Sequence, residues 1–294
     1  MTKQSNKQII SKNFSEYELL DLGHGYKLER FGDKVCLRPE IKYSGSAAGS
    51  LAQLKIKADL IFEEEAKGKG KWLGKNTENL EWILKEVVAG KEIKFLLKPS
   101  AFKHVGIFPE QKANWEYIAD KVSNCYIQPK VLNLFAYTGG ASLVAQKFGA
   151  QVTHVDSSKS VINWARKNME LNHLSDIRWC LEDAMLFVQR EAKRGNIYQG
   201  IIMDPPSFGI AKNKSRWRIE DAIVPLMENA VKLLDPRGYF LVLNTYSPQI
   251  DALMLLKALK LPIKQALVDN AKLCLQSETG KILETGELIR FSNY

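Results

Sequence analysis

From residue 130 onward, short β-rich runs alternate with stretches of helical period, and this alternation restricts the fold more than any other feature of the chain. The runs cover residues 131–137, 151–156, 177–183, 200–204 and 239–246, with apolar residues recurring at helical spacing between them, as over 161–171 and 219–234. Repetition of strand, helix and strand builds βαβ units and a mostly parallel sheet. Ile201-Ile202-Met203 and Tyr239-Phe240-Leu241-Val242-Leu243 are nearly continuous apolar runs, as expected where helices cover both faces of a sheet. Ligands of such sheets bind beyond the carboxyl ends of the strands, so function is to be sought in the residues that close each strand.

The preceding part reads differently. Residues 17–22, 26–31 and 34–38, separated by Gly23-His24-Gly25 and Gly32-Asp33, predict a small β meander. Residues 40–80 mix glycines with charges without a sustained period and predict a partly mobile connection. Residues 81–88 and 91–98 predict a hairpin reversing at Gly90, and a helix is predicted over Pro109–Val122 with Pro109 in its first turn. The expected organisation is an N-terminal β-rich subdomain with its connecting segment over 1–115, followed by an α/β domain over 116–294.

Composition narrows the classes. A chain of 294 residues, 45% of them apolar, can bury a large core, which excludes disorder and collagen-like repeats. No run of eighteen uncharged apolar residues occurs, and Met1–Gln8 lacks the apolar stretch of a secretory signal, so a soluble cytoplasmic protein is expected with no membrane partner. Cys36, Cys125, Cys180 and Cys274 are scattered without CxxC or Cys/His spacing, which predicts reduced thiols and no metal site. A net charge of +9, spread over both parts, favours polyanionic partners without choosing among them.

Four strand ends carry the chemistry. Asn133-Leu134-Phe135-Ala136-Tyr137-Thr138-Gly139-Gly140-Ala141-Ser142 closes the first strand, where paired glycines and a helix start suit a carboxylate or phosphate, or form a tight turn only. The GxGxxG fingerprint is absent, which disfavours hydride transfer. Seventeen positions past Gly139, Asp156 closes the second strand beside Ser157, where a carboxylate can accept from two ribose hydroxyls or cap the next helix. His154, inside that strand, reads as a satisfied structural histidine. Glu182-Asp183-Ala184 closes the third strand, where Asp183 suits an adenine amino group or, equally, a helix cap. Asp204-Pro205-Pro206-Ser207-Phe208 closes the fourth: the prolines stiffen the loop and remove two N–H donors, Asp204 offers acceptors, and Phe208 offers a face for a base.

These residues resemble class I S-adenosylmethionine-dependent methyltransferases. More narrowly, Phe102-Lys103-His104-Val105-Gly106-Ile107-Phe108-Pro109-Glu110-Gln111, followed by Leu134–Gly140 and the Asp-Pro-Pro-Ser-Phe motif, is similar to bacterial large-subunit ribosomal RNA methyltransferases, the group with cytosine carbon-5 and guanine N7 enzymes. The resemblance implies a Rossmann-like, seven-stranded α/β sheet whose last strand, Glu287–Phe291, runs antiparallel. It implies S-adenosylmethionine bound by Asn133, Phe135, Tyr137, Thr138, Gly139, Gly140, Asp156, Ser157, Asp183 and Ala184, with Phe108 and Gln111 helping to enclose it. Asp204, Pro205, Pro206 and Phe208 are the implied catalytic segment. Lys212, Lys214, Arg216, Trp217 and Arg218 follow directly; cations grip phosphates and Trp can stack on a base, so RNA, ribosomal in the family, is the expected partner.

Carbon 5 of a pyrimidine needs a thiolate to add at the neighbouring ring carbon, whereas a ring or exocyclic nitrogen needs chiefly an acceptor and alignment. The cytosine enzymes place their cysteine after the fifth strand, but this chain has Leu243-Asn244-Thr245-Tyr246-Ser247-Pro248 there. Nitrogen methylation is therefore expected. Carbon-5 transfer, methylation of a protein amide or small molecule, and a non-catalytic RNA adaptor remain as alternatives.

Overall fold

The computed structural model describes residues 7–41, 43, 45–66, 68–210, 216–247, 249–258 and 267–294. The chain divides into two compact units. One comprises residues 10–113 with 274–284; the other comprises 114–273 and 285–294 with a leading stretch ending at Ile9. The division is thus not a single cut near residue 115.

A short strand, β1 (Gln8–Ile10), opens the described chain. In the first unit, β2 (Tyr17–Gly23), β3 (Tyr26–Phe31) and β4 (Lys34–Pro39) form the expected antiparallel meander. The segment 40–80 is more than the connection that its composition suggests. It holds α1 (Leu51–Lys57), β5 (Leu60–Ala66) and β6 (Lys69–Gly74). β5 pairs parallel with β4, and β6 antiparallel with β5, extending the meander to five strands. The helix is set by a capping box: Ser50 accepts from the Gln53 N–H while the Gln53 side chain returns to the Ser50 N–H. Its Leu54 joins Leu28 and Leu37 in a small core.

The hairpin β7 (Trp82–Val88) and β8 (Lys91–Leu97) turns through Ala89 and Gly90, both at positive φ (44° and 79°), as a two-residue turn between right-twisted strands requires. Its buried face carries Leu84, Val88, Ile93 and Phe95, and also a carboxylate. Glu86 is 1% exposed and accepts from the Ser15 N–H, the Ser15 hydroxyl and the Lys112 ammonium. A second buried ion group lies in the meander, where Arg38 grips both Glu29 oxygens at 2.7 Å and Tyr17 donates to the same carboxylate. Burial pushes the Glu29 carboxyl up, but Arg38 and Lys27 outweigh it and hold it below its ordinary value.

The second unit begins near α2 (Lys112–Ser123), which follows a 3-10 turn at Pro109–Gln111. Its elements are β9 (Lys130–Leu134), α3 (Gly140–Lys147), β10 (Gln151–Asp156), α4 (Lys159–Leu171), β11 (Arg178–Leu181), α5 (Ala184–Lys193), β12 (Gly200–Met203), β13 (Phe208–Ile210), β14 (Arg216–Arg218), α6 (Ile219–Val231), β15 (Phe240–Thr245) and α7 (Ala252–Ala258). The strands β16 (Leu267–Gln276) and β17 (Ile282–Ser292) complete it, apart from residues 274–284, which belong to the first unit. Among the described residues the large sheet has eight strands in the order β1-β16-β17-β15-β12-β9-β10-β11, so β1 adds an eighth to the expected seven. Strands β11, β10, β9, β12 and β15 are parallel, and β17 runs antiparallel to β15, as the resemblance implied. Leu132, Leu134, Ile201, Met203 and Leu241 pack one face against Phe187, Ile223 and Leu226.

The order reverses between β9 and its neighbours: the chain leaves β9 for β10 and β11 on one side and returns through β12 and β15 on the other. That is a topological switch point, with a crevice at the carboxyl edge. The register aligns Val155, Leu134, Met203 and Leu243 across four strands. The next residues, Asp156, Phe135, Asp204 and Asn244, therefore emerge side by side at that edge.

Candidate active site

The loop from β9 to α3 is wound by alternate left-handed residues. Phe135 (φ 54°), Tyr137 (φ 50°) and Gly139 (φ 90°) all lie at positive φ. For two aromatic residues this conformation is costly, and it persists only where surrounding contacts fix it. Here they do. The Ala136 N–H donates to the Val155 carbonyl, the Tyr137 N–H to Asp156 Oδ2 at 3.0 Å, and the Gly139 N–H to the Ala136 carbonyl. From α4, the buried Asn168 amide donates to the Thr138 carbonyl at 3.0 Å. Helix α3 then starts at Gly139 without a side-chain cap, so the first-turn N–H groups and the positive end of the helix dipole face the strand edge.

The two glycines serve different needs. Gly139 supplies the positive φ. Gly140 makes room for a neighbour: a methyl group there would lie 3.0 Å from the Trp115 ring. The space beside Gly140 is thus filled by protein rather than kept for a ligand.

Asp156 closes β10 as expected. Its Oδ2 accepts from Tyr137 and its Oδ1 from the Ser158 N–H at 2.9 Å. Burial pushes the carboxyl above its ordinary value, while the N–H groups of Ser158, Tyr137 and Ser157 pull the other way. Asp156 therefore both faces the crevice edge and latches the glycine loop. Ser157 is exposed.

Asn133 lies beneath the loop, 3% exposed, and donates to Ser142 Oγ at 2.9 Å; Ser142 in turn meets His154 Nδ1 at 3.1 Å. Burial drives the His154 imidazole down to about 3, so it is neutral. His154 is a structural histidine, yet only half satisfied, because its Nε2 has no hydrogen-bond partner among the described residues and its ring lies 4.7 Å from that of Trp179. Asp183 caps α5 through the Leu186 N–H, and Ala184 is buried as the first residue of that helix. Phe108 and Gln111 belong to the other unit, where the Phe108 ring lies 4.7 Å from that of His104.

After β12, Asp204 lies beside Asn244 of β15, whose amide reaches its Oδ1 at 3.5 Å. Asn244 is 1% exposed, and its own Oδ1 has no hydrogen-bond partner among the described residues. Pro205 is buried, Pro206 exposed, and Phe208 is 67% exposed. Trp217 sits opposite Gly209 in the β13–β14 ribbon and donates its indole N–H to the Pro206 carbonyl at 2.7 Å. Its ring lies 5.1 Å from that of Phe135. Arg218 lies 3.9 Å from Glu220 and 3.8 Å from Asp221. Lys212 and Lys214 lie outside the described residues, as does the Arg216 side chain.

All four cysteines are free thiols. Cys180 is in β11, where burial pushes its thiol up, away from the nucleophilic thiolate. Trp115, Asn168 and Asn244 escaped the reading from sequence. Only Asn168 left a signal there, an amide three residues past Ala165 on the apolar stripe of α4.

A parallel sheet with a switch point, an uncapped helix start behind a glycine loop and an acid at the tip of the next strand define a nucleotide-binding class of α/β proteins. The comparisons agree. The family model for S-adenosylmethionine-dependent methyltransferases matches residues 64–260. The SAM-dependent methyltransferase from Agrobacterium tumefaciens superposes over 100% of this chain and 98% of its own, with a TM-score of 0.89 and 33% identity. The protein SMU.776, solved with SAH, shares the fold at a TM-score of 0.69, with 19% identity over 91% of this chain and 71% of its own. Ribosomal RNA large subunit methyltransferase K/L of Shewanella frigidimarina is 30% identical over 85% of this chain and 37% of its own length. The same-named protein of Pseudoalteromonas atlantica is 27% identical over 82% and 36%. The chain spans little more than a third of the length of these two relatives. It belongs to the S-adenosylmethionine-dependent methyltransferase family.

Among the described residues, no helix is long and apolar enough to cross a membrane, and no group of three His, Cys, Asp or Glu could hold a metal ion.

Proposed function

We propose that this chain is a cytoplasmic enzyme that methylates a nitrogen of a nucleobase in large-subunit ribosomal RNA. The RNA comes from the names of the K/L relatives and from the basic surplus of the sequence. The choice of nitrogen rests on one observation: the carboxyl ends of β12 and β15 carry Asp204, Asn244 and Thr245, with no thiol among them.

The residues present fit the donor. The uncapped first turn of α3 suits a carboxylate, and Asp156 is held by backbone N–H groups at the position from which a ribose is gripped. When bound, S-adenosylmethionine supplies a methyl group on a sulfonium, open to in-line attack. Gly139 and the left-handed Tyr137 shape the loop that would hold it, and Asp183 stands at the third strand end, where an adenine would lie. Asp204 accepts the N–H of the attacking nitrogen, orienting its lone pair and drawing off positive charge as the bond forms. Phe208 offers its exposed ring to an extruded base. Lys212, Lys214, Arg216 and Arg218 would grip the RNA phosphates.

Transfer of a labelled methyl group to unmodified large-subunit ribosomal RNA tests this. Asp204→Ala should lower the rate at least about 100-fold, the range of general acid–base groups. Undiminished transfer would remove Asp204 from the mechanism, and label on protein instead of RNA would reject the acceptor.

A further inference from the structure

We propose that Trp217 is a positioning residue that ties the loop holding the donor to the loop presenting the acceptor, and is not a platform for an RNA base. The inference deepens the methyl-transfer reading and rests on it.

Two consecutive prolines give Asp204–Phe208 a stiff backbone, but they also remove two of the N–H groups by which such a loop could anchor itself. Two of its carbonyls are instead held by donors from elsewhere. Trp217 provides one, its indole N–H reaching the Pro206 carbonyl at 2.7 Å, and the Ile219 N–H provides another, to the Ser207 carbonyl at 3.1 Å. Both donors stand at the end of the β13–β14 ribbon nearest α6.

The other side of the indole meets the donor loop. Its ring centre lies 5.1 Å from that of Phe135, tilted by 53°, within the range of favourable aromatic pairs. Phe135 is the first left-handed residue after β9, where its conformation depends on surrounding contacts. One side chain therefore contacts the backbone of the acceptor segment and the first residue of the donor segment.

The ribbon pairing separates the aromatic roles. Phe208 pairs with Arg218 and Gly209 with Trp217, so Phe208 and Trp217 project from opposite faces. Trp217 is half-buried with its polar atom already committed, whereas Phe208 is 67% exposed. Stacking on RNA falls to Phe208.

The test uses the intact chain, S-adenosylmethionine and unmodified large-subunit ribosomal RNA made by transcription. Trp217→Phe keeps an aromatic ring at that position while removing the N–H together with the second ring of the indole. Its single-turnover transfer rate should fall at least tenfold, with donor and RNA dissociation constants within twofold of the wild type. Trp217→Ala should also weaken donor binding, about fivefold. Combined with Phe135→Leu, it should be non-additive in donor binding. A wild-type rate in Trp217→Phe overturns the proposal, as does weakened RNA binding at an unchanged single-turnover rate, which marks a base platform. If the wild type transfers nothing to this RNA, the acceptor reading fails; the donor-binding cycle then decides, and additivity overturns the coupling.

Discussion

Gly139→Ala separates a loop built for a ligand from an ordinary tight turn. Gly139 sits at φ 90°, ψ 13°, beyond the usual left-handed well, and a methyl group there lies 3.3 Å from Ala165 of α4. The left-handed conformation alone costs an L-residue about 1–2 kcal/mol. Ala165 is fully buried and cannot withdraw, so the upper end applies. The loop can escape the strain by rotating Tyr137–Gly139, which loosens the Tyr137 N–H from Asp156 and misaligns the first turn of α3. Affinity for SAH should then fall about tenfold, or about 1.4 kcal/mol. Gly140→Ala is the control. Its φ is not left-handed, but its methyl group meets the 4%-exposed Trp115 at 3.0 Å, an overpacking worth about 1–3 kcal/mol of stability. The strain there points into α2, so stability should drop more than affinity. Calorimetric titration with SAH, beside urea unfolding, reads both quantities. Wild-type SAH affinity in Gly139→Ala, or a greater loss of affinity in Gly140→Ala, would refute this division.

Other perturbations follow from the same contacts. Lys112→Met strands the 1%-exposed Glu86 carboxylate and should destabilise the chain by about 3–5 kcal/mol in urea unfolding; a loss under 1 kcal/mol would show that Glu86 is solvated. The Arg237 guanidinium holds the buried Asp235 carboxyl well below its ordinary 3.8, so this stabilisation is present above about pH 4 and is lost as pH falls toward the folded value. Asp235→Asn should therefore lower stability at pH 7, with the gap to the wild type narrowing as pH drops below 4; a gap independent of pH would contradict the ion pair. Cys180→Ser should keep methyl transfer within twofold of the wild type, and abolished transfer with an RNA adduct trapped on Cys180 would reinstate carbon-5 chemistry.

What was legible in the sequence is what local periodicity and strand-end chemistry encode. Period-2 and apolar runs placed β9, β10, β12 and β15, and the spacing from Gly139 to Asp156 placed an acid at the tip of β10. The segment 40–80 was misread because charges and glycines masked a Ser50–Gln53 capping box and a strand pairing set by distant Cys36 and Leu37. The left-handed Phe135 and Tyr137 could not be foreseen, since aromatic residues do not favour that conformation and only tertiary contacts impose it. Trp217 looked like an RNA contact because its neighbours in the chain are basic; its committed N–H depends on a carbonyl eleven residues away. Asn133, expected beside the donor, lies buried beneath the loop with an amide N–H on Ser142 Oγ, a contact that the sequence does not reveal.

Mass mapping of nucleosides from large-subunit ribosomal RNA, in cells with and without the gene, reaches donor, acceptor and atom together. Loss of a single nucleoside methylated on a base nitrogen, restored by the wild-type chain but not by Asp204→Ala, is the expected result. Loss of 5-methylcytidine, or an unchanged RNA with a lost methyl mark on a protein, would contradict the assignment.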